Sequence, residues 1–325
     1  MRGTIVGVLR GGPSREHDVS LNSGRAVLAA LPNDRYTVRD IYIDREGTWH
    51  ERGLPTTPSK VLAGIDVVVL TLHGEYGEDG EVQKLLERFG VPYTGSDSFA
   101  SFEAMHKVMA KEKAKAVGIK TARYHFIEEA SDVDSIVHEI VRTFPQPVIV
   151  KPVRWGSSVG VSLESGYAPV HRAVTGLLAS GAGGVIVEEF VRGTEATAGV
   201  VEGLRGEPLY SLPTVEIVPP PKSAFFDYDA KYSGETREVT PGRFSKQVNE
   251  ELQAAARAMH QALGLRHYSR SDFIVSPRGI YFIETNTLPG LTNESLLPKS
   301  LAAVGVSFED FISHLIDLAL RKGKR

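Results

Sequence analysis

A chain of 325 residues with a formal net charge of −3 and no cysteine leaves room for two or three cooperative units. It excludes disulfides, thiolate metal sites and cysteine nucleophiles. Its near-balanced charge offers no general basic surface, so nucleic acid is not an expected partner. The opening stretch MRGTIVGVLRGG has an apolar run too short for a signal-peptide core or a membrane span. The expectation is a cytoplasmic protein with no membrane insertion.

In chain order, TIVGVLRGG predicts a buried strand entering a glycine turn, followed by a helix over Val19 to Leu31. YTVRDIYI and IDVVVLTLHG predict further strands, and EDGEVQKLLERFG a helix. Short apolar strands alternating with helices point to a parallel α/β sheet, here expected over residues 1–97. A helix is predicted across 99–117, another at SDVDSIVHEIVRTF, and strands at PVIVKP, VGVSLE and GGVIVEEFV. This middle unit, 98–187, reads as α+β. The last unit, 188–325, holds an aperiodic stretch around 221–240, a helix at SKQVNEELQAAARAMHQALG and a final helix over 306–321. A long irregular segment inside a compact chain favours a functional loop.

The chemistry concentrates in a few segments. In RSDFIVSPRGIYFIETN, a three-residue turn at Pro277-Arg278-Gly279 would oppose Asp272 to Glu284 and Arg270 to Asn286. Opposed carboxylates repel unless a cation lies between them. Oxygen donors of this kind suit Mg²⁺ or Mn²⁺, with Asn286 as a third ligand. A structural ion-pair network of Arg270, Asp272 and Glu284 explains the pattern equally well. In VIVKPVRWGSSVGV, Lys151 ends a strand before a loop whose glycines let backbone N–H groups approach a phosphate. An ordinary hairpin with a surface lysine is the plainer alternative.

Four weaker segments accompany these. Glu16 follows the turn LRGGPS, which suits a ligand loop at the carboxyl ends of a parallel sheet or a plain tight turn. His73 and its acidic neighbours in HGEYGEDG border a cleft, with Glu78 and Asp79 read first as ordinary partners of a helix N-terminus. Strand alternation puts Glu188 and Glu189 on opposite faces, so at most one enters a pocket, and Glu195 follows past a turn. Lys231 and Tyr232 lie in the irregular stretch, where a lysine would either close over phosphates or sit in solvent. Taken together, Lys151, Lys231 and Arg270 supply cations and Asp272, Glu284 and Asn286 supply oxygen donors. That combination fits a nucleoside triphosphate with its divalent metal.

In these segments, and in ETNTLPGLTNESLLP at 284–298, the sequence resembles the D-alanine–D-alanine ligases of the ATP-grasp superfamily over nearly its whole length. The resemblance implies three domains, ATP with Mg²⁺ or Mn²⁺ as two ions, D-alanine as substrate and a homodimer. It implies that Lys107 and Lys151 contact phosphates and that Lys231 touches the γ-phosphate. Glu188 would serve adenine and Glu195 the ribose, while Asp272, Glu284 and Asn286 would bind metal. Arg270 and the Gly290 backbone would stabilise an oxyanion. Glu16 would anchor the first D-alanine's ammonium in a set with Ser157 and Tyr232, with His73 as a neighbour. Ser295 and Leu296 would take the second D-alanine's carboxylate. The implied reaction makes D-alanyl-D-alanine through an acyl phosphate for peptidoglycan precursor synthesis. Another carboxylate–amine ligase of the same superfamily, or a nucleotide-binding protein without turnover, is the competing reading. Two positions depart from the family's habit. Trp155 stands where an acidic residue is common, and Glu189 where lysine is common.

Overall fold

The computed structural model describes residues 3–128, 132–219 and 236–322. Lys231, Tyr232 and most of the 221–240 stretch therefore lie outside the described residues.

The first sheet has the order β4-β3-β2-β1-β5. Its centre is β1 (Thr4–Gly11), parallel to both β2 (Tyr36–Ile43) and β5 (Val67–Leu70). The α/β expectation holds there, and α1 (His17–Ala30) makes the crossover. Val6, Val8, Leu9 and the whole of β5 are buried, because the strands of a parallel sheet are covered on both faces. The short β3 (Trp49–Glu51) and β4 (Leu54–Thr56) add an antiparallel edge. The helices α2 (Pro58–Leu62) and α3 (Glu81–Arg88) follow. Phe311, Ile312, Leu315 and Ile316 of the C-terminal helix join this same core, so the chain's end seals its beginning.

The helix predicted across 99–117 is two helices, α4 (Ser98–Met105) and α5 (Lys107–Ala116). His106 breaks it with φ −81° and ψ 99°, and its ring nitrogen accepts from the Met109 N–H. Capping by the side chain replaces the helical hydrogen bond given up at the break. The break directs Lys107 and Lys111, one turn apart on α5, inward; both are buried.

The strands β6 (Lys120–Thr121), β7 (Tyr124–Ile127), β8 (Val148–Pro152), β9 (Ser162–Glu164) and β10 (Val185–Glu189) come next. All but β6 form an antiparallel sheet of order β7-β10-β8-β9. The helices α6 (Val133–Thr143) and α7 (Tyr167–Ala179) pack against it through Val137, Ile140, Val170 and Val174. The third sheet runs β14-β13-β11-β15-β16-β6, with β12 (Leu209–Ser211) beside β11 (Thr194–Glu202). Its other members are β13 (Val215–Val218), β14 (Arg237–Val239), β15 (Tyr268–Ser276) and β16 (Gly279–Asn286). The helix α8 (Lys246–Ala262) covers one face, and α9 (Leu296–Ala303) and α10 (Phe308–Lys322) end the chain. Among the described residues no helix is long and apolar enough to cross a membrane.

Candidate active site

The β15–β16 hairpin corrects one expectation and keeps another. Ser276 pairs with Gly279, so the loop has two residues, Pro277 and Arg278, rather than three. That register alone would oppose Asp272 to Ile283. A β-bulge between Asp272 and Phe273 admits Ile283 as an extra residue on β16, and Asp272 then pairs with Glu284 and Arg270 with Asn286. The four polar side chains thus share one face, and all four line a cavity of about 490 Å³.

Every described residue to which the family resemblance assigns a role opens on this cavity, from Glu16 and His73 of the first unit to Ser295 and Leu296 at the start of α9. Glu16 occupies the N-cap position of α1, yet its carboxylate makes no capping bond. It lies instead between two glycines. A Cβ on Gly156 would stand 2.5 Å from its Oε1, and one on Gly74 3.2 Å. Beyond Gly156, Ser157 and Ser158 have φ of +49° and +58°. The left-handed backbone of this loop therefore falls on serines, where it is strained, and not on the glycine before them.

The floor is a chain of buried charges. Glu188 lies between two ammonium groups, 3.0 Å from Lys111 Nζ and 3.0 Å from Lys151 Nζ. Burial alone would raise its carboxyl, but the two lysines hold it below the ordinary carboxylate value. The cost of burial appears on Lys111, whose ammonium is pushed down to about 8 despite Glu188. Lys107 donates to the Trp155 carbonyl at 2.7 Å and lies 3.6 Å from Glu284. Arg270 grips Asp272 with two hydrogen bonds of 2.9 and 2.8 Å, and Asn286 donates to the same carboxylate at 3.2 Å. Burial works against the Arg270 charge, but Asp272 keeps the guanidinium above its ordinary value.

Both departures from the family pattern find local partners. The Trp155 ring carries the Arg15 guanidinium 3.6 Å from its centroid. Glu189 turns away from the lysines and accepts from Arg278 at 2.8 Å. Alternation along β10 gives Glu188 and Glu189 different partners, but both border the cavity, where at most one was expected.

Two residues gain a place that sequence reading missed. Lys111 was visible only as a second lysine one helical turn after Lys107. Glu78, read as a partner of a helix N-terminus, is not used that way. It is half-buried in the cavity wall and accepts the N–H groups of Gly74 at 2.9 Å and Leu288 at 3.1 Å. Burial and the nearby Glu16 carboxylate push its carboxyl up to about 8.

The donor set for a divalent cation is two carboxylates and one amide, Asp272, Glu284 and Asn286. Among the described residues no cluster of three or more His, Asp or Glu side chains is preassembled for a metal. The hard oxygen chemistry and shared face of these three nevertheless fit Mg²⁺ or Mn²⁺.

An antiparallel four-stranded sheet and a larger sheet that share a cleft floored by lysines and opposed acids define an ATP-grasp protein. A family model described as D-ala D-ala ligase C-terminus matches residues 114–317. The corresponding N-terminus model matches residues 5–61 and 50–96. The D-alanine–D-alanine ligase of Syntrophobacter fumaroxidans is 39% identical over 319 residues, covering 97% of each chain. That of Desulforudis audaxviator is 40% identical over 315 residues, covering 97% of this chain and 98% of its own. Among solved structures, the VanG D-Ala:D-Ser ligase from Enterococcus faecalis superposes with a TM-score of 0.86 at 29% identity, over 98% of this chain and 100% of that one. The Bacillus anthracis D-alanine–D-alanine ligase complexed with ATP gives 0.82 at 28% identity, over 99% of both. The chain belongs to the D-alanine–D-alanine ligase family.

Proposed function

We propose that this protein joins two D-alanines into D-alanyl-D-alanine at the expense of ATP, for peptidoglycan precursor synthesis. The observation that carries the reading is convergence. The described residues that the family resemblance assigns to nucleotide, metal, both substrates and the oxyanion all face one cavity.

In this reading Glu16 holds the ammonium of the first D-alanine, with Ser157 beside it. The substrate carboxylate attacks the γ-phosphorus in line, ADP leaves, and an acyl phosphate forms. Lys107 and Lys151 neutralise the phosphates; Glu188 faces the nucleobase and Glu195 the ribose. When bound, the divalent cation held by Asp272, Glu284 and Asn286 supplies further neutralisation of the β- and γ-phosphate oxygens. The amine of the second D-alanine, its carboxylate at Ser295 and Leu296, attacks the acyl carbon. Arg270 and the Gly290 N–H stabilise the tetrahedral oxyanion, and phosphate leaves. Lys231 is read as the γ-phosphate contact and Tyr232 as the third member of the Glu16 set. We also read the protein as a cytoplasmic homodimer.

The test is phosphate release from ATP and Mg²⁺ with D- and L-amino acids and D-lactate as acceptors, products identified by mass. D-Alanine-dependent release with the dipeptide as main product is expected. ATP binding without D-alanine-dependent turnover would overturn it.

A further inference from the structure

The segment Leu288-Pro289-Gly290-Leu291 is held from outside its own domain. Three side chains of the first unit contact its backbone. Glu78 accepts the Leu288 N–H at 3.1 Å. His73 Nδ1 meets the Leu288 carbonyl at 2.9 Å. Ser23 Oγ accepts the Leu291 N–H at 3.3 Å and lies 2.8 Å from His73 Nε2. A carbonyl only accepts, so His73 carries its proton on Nδ1 toward Leu288. In the neutral ring Nε2 then accepts from the Ser23 hydroxyl. The His73 and Ser23 contacts are therefore a directed relay in which each donor has an acceptor, and Glu78 holds the Leu288 N–H beside it.

These bonds fall on particular peptide planes. Glu78 fixes the plane before Leu288, His73 the plane after it, and Ser23 the plane between Gly290 and Leu291. Pro289 has no N–H and a nearly fixed φ. What lies between the pinned planes is the 289–290 peptide, which carries the Gly290 N–H. The side chains of Leu288 and Leu291 are buried at 2% and 1% exposure, which anchors the same turn from below. A Cβ on Gly290 would stand 2.7 Å from Ser295 Oγ, so a side chain there would have to displace that hydroxyl.

We propose that Glu78 and His73, with Ser23, are positioning residues that set the direction of the Gly290 N–H and so act on the second chemical step, attack on the acyl phosphate. This rests on the ligase reading above and deepens it. Oxyanion donors act only when aimed at where charge develops, and a small misplacement costs an order of magnitude or more. The ligase reading assigns phosphoryl transfer to the first D-alanine to other groups, Lys107, Lys151 and Lys231. A fault in the clamp should therefore separate the two steps.

The experiment uses ATP labelled with ¹⁸O in the β–γ bridge. With D-alanine present, reversible acyl phosphate formation scrambles the label into the β-nonbridging position, while dipeptide is counted by mass. Glu78→Gln is nearly isosteric but sets an NH₂ donor against one of the two backbone N–H groups that Glu78 accepts. It should raise the ratio of scrambling to dipeptide formed by about tenfold or more. A second pair guards against a folding defect. His73→Asn retains an amide N–H near the Nδ1 position and should raise the ratio less than His73→Ala does. If the variants lower both processes together and leave the ratio at the native value, the residues are merely structural and the inference fails. If the native protein shows neither scrambling nor dipeptide with D-alanine, the ligase reading fails and takes the inference with it.

Discussion

Replacing Glu188 with Gln is the sharpest test of the buried charge array. Glu188 is 5% exposed, Lys111 0% and Lys151 5%. At 3.0 Å and an effective dielectric of about 20, each ion contact is worth about 5 kcal/mol before desolvation. Losing both at full value would unfold most domains, but the array has a release. Lys111, already pushed down to about 8, can shed its proton. At pH 7 that step costs about 1.4 kcal/mol, one pKa unit. Removing the Glu188 charge from the remaining Lys151 contact then adds about 2 kcal/mol once the carboxylate's own desolvation is recovered. The expected loss at pH 7 is about 3 kcal/mol, or about 1 M in urea midpoint at an m of about 3 kcal/mol/M. The pH dependence has a definite sign. A lysine whose folded pKa lies below its unfolded value of about 10.4 lets stability rise with pH between the two, because the unfolded chain binds the extra proton. In the native protein that rise begins near pH 8. Without Glu188 it begins lower, so the deficit should narrow from pH 6 to 8 by up to about 1.4 kcal/mol per unit and stay constant above. Urea unfolding followed by circular dichroism at pH 6, 7, 8 and 9 measures it. A deficit under about 1 kcal/mol at pH 7, or one equal at pH 6 and 8, would refute the reasoning.

Glu284→Gln should lower turnover at least about tenfold at limiting Mg²⁺, since a charged ligand and its share of phosphate neutralisation are lost; unchanged activity there would remove the metal assignment. Gly156→Ala places a methyl group 2.5 Å from Glu16 Oε1 and should raise the KM for D-alanine about tenfold with a smaller effect on ATP, read from initial rates with each substrate varied. Tyr232→Phe should raise D-alanyl-D-lactate relative to the dipeptide, most at mildly acid pH, in a single incubation with both acceptors; an unchanged product ratio would sink the role of the hydroxyl.

Sequence reading went furthest where a period or a punctuation residue carried the signal. The continuous apolar runs of β1 and β5 mark a sheet covered on both faces, and the 14-residue α1 follows its turn as expected. Asp272 and Glu284 were opposed correctly through two errors that cancel, a loop one residue too long and a bulge not foreseen. The bulge was illegible because Ile283 is apolar, as its neighbours are, and nothing in Phe-Ile-Glu marks which residue is extra. The break at His106 was illegible for a different reason: apolar positions continue at helical spacing across it, and only the capping bond reveals the turn. Glu78 fell to a local explanation. One of its two partners, the Leu288 N–H, is 210 residues away, beyond the reach of any local pattern. α7 went unnoticed because Pro169 and Gly176 suggest a loop, although proline in a first turn forfeits no helical bond.

The two readings of the carboxylate pair, metal ligands or members of an ion network, need not compete. Glu284 and Asp272 each have a protein cation at hand, Lys107 and Arg270 respectively. Opposed carboxylates without such partners would repel across the hairpin and weaken the strand pairing that presents them. Within the array, Lys107, Lys111, Lys151 and Arg270 outnumber Glu188, Asp272 and Glu284 by one charge. A triphosphate entering that cleft brings several negative charges, and the lysines that now balance Glu188 and Glu284 are the groups it would draw. Those acids would then lack compensation unless another cation entered with the nucleotide. A divalent metal held by Asp272, Glu284 and Asn286 would supply that charge. On this account the ion pairs hold the ligand geometry before nucleotide arrives, and metal and nucleotide are expected to bind each more tightly in the presence of the other.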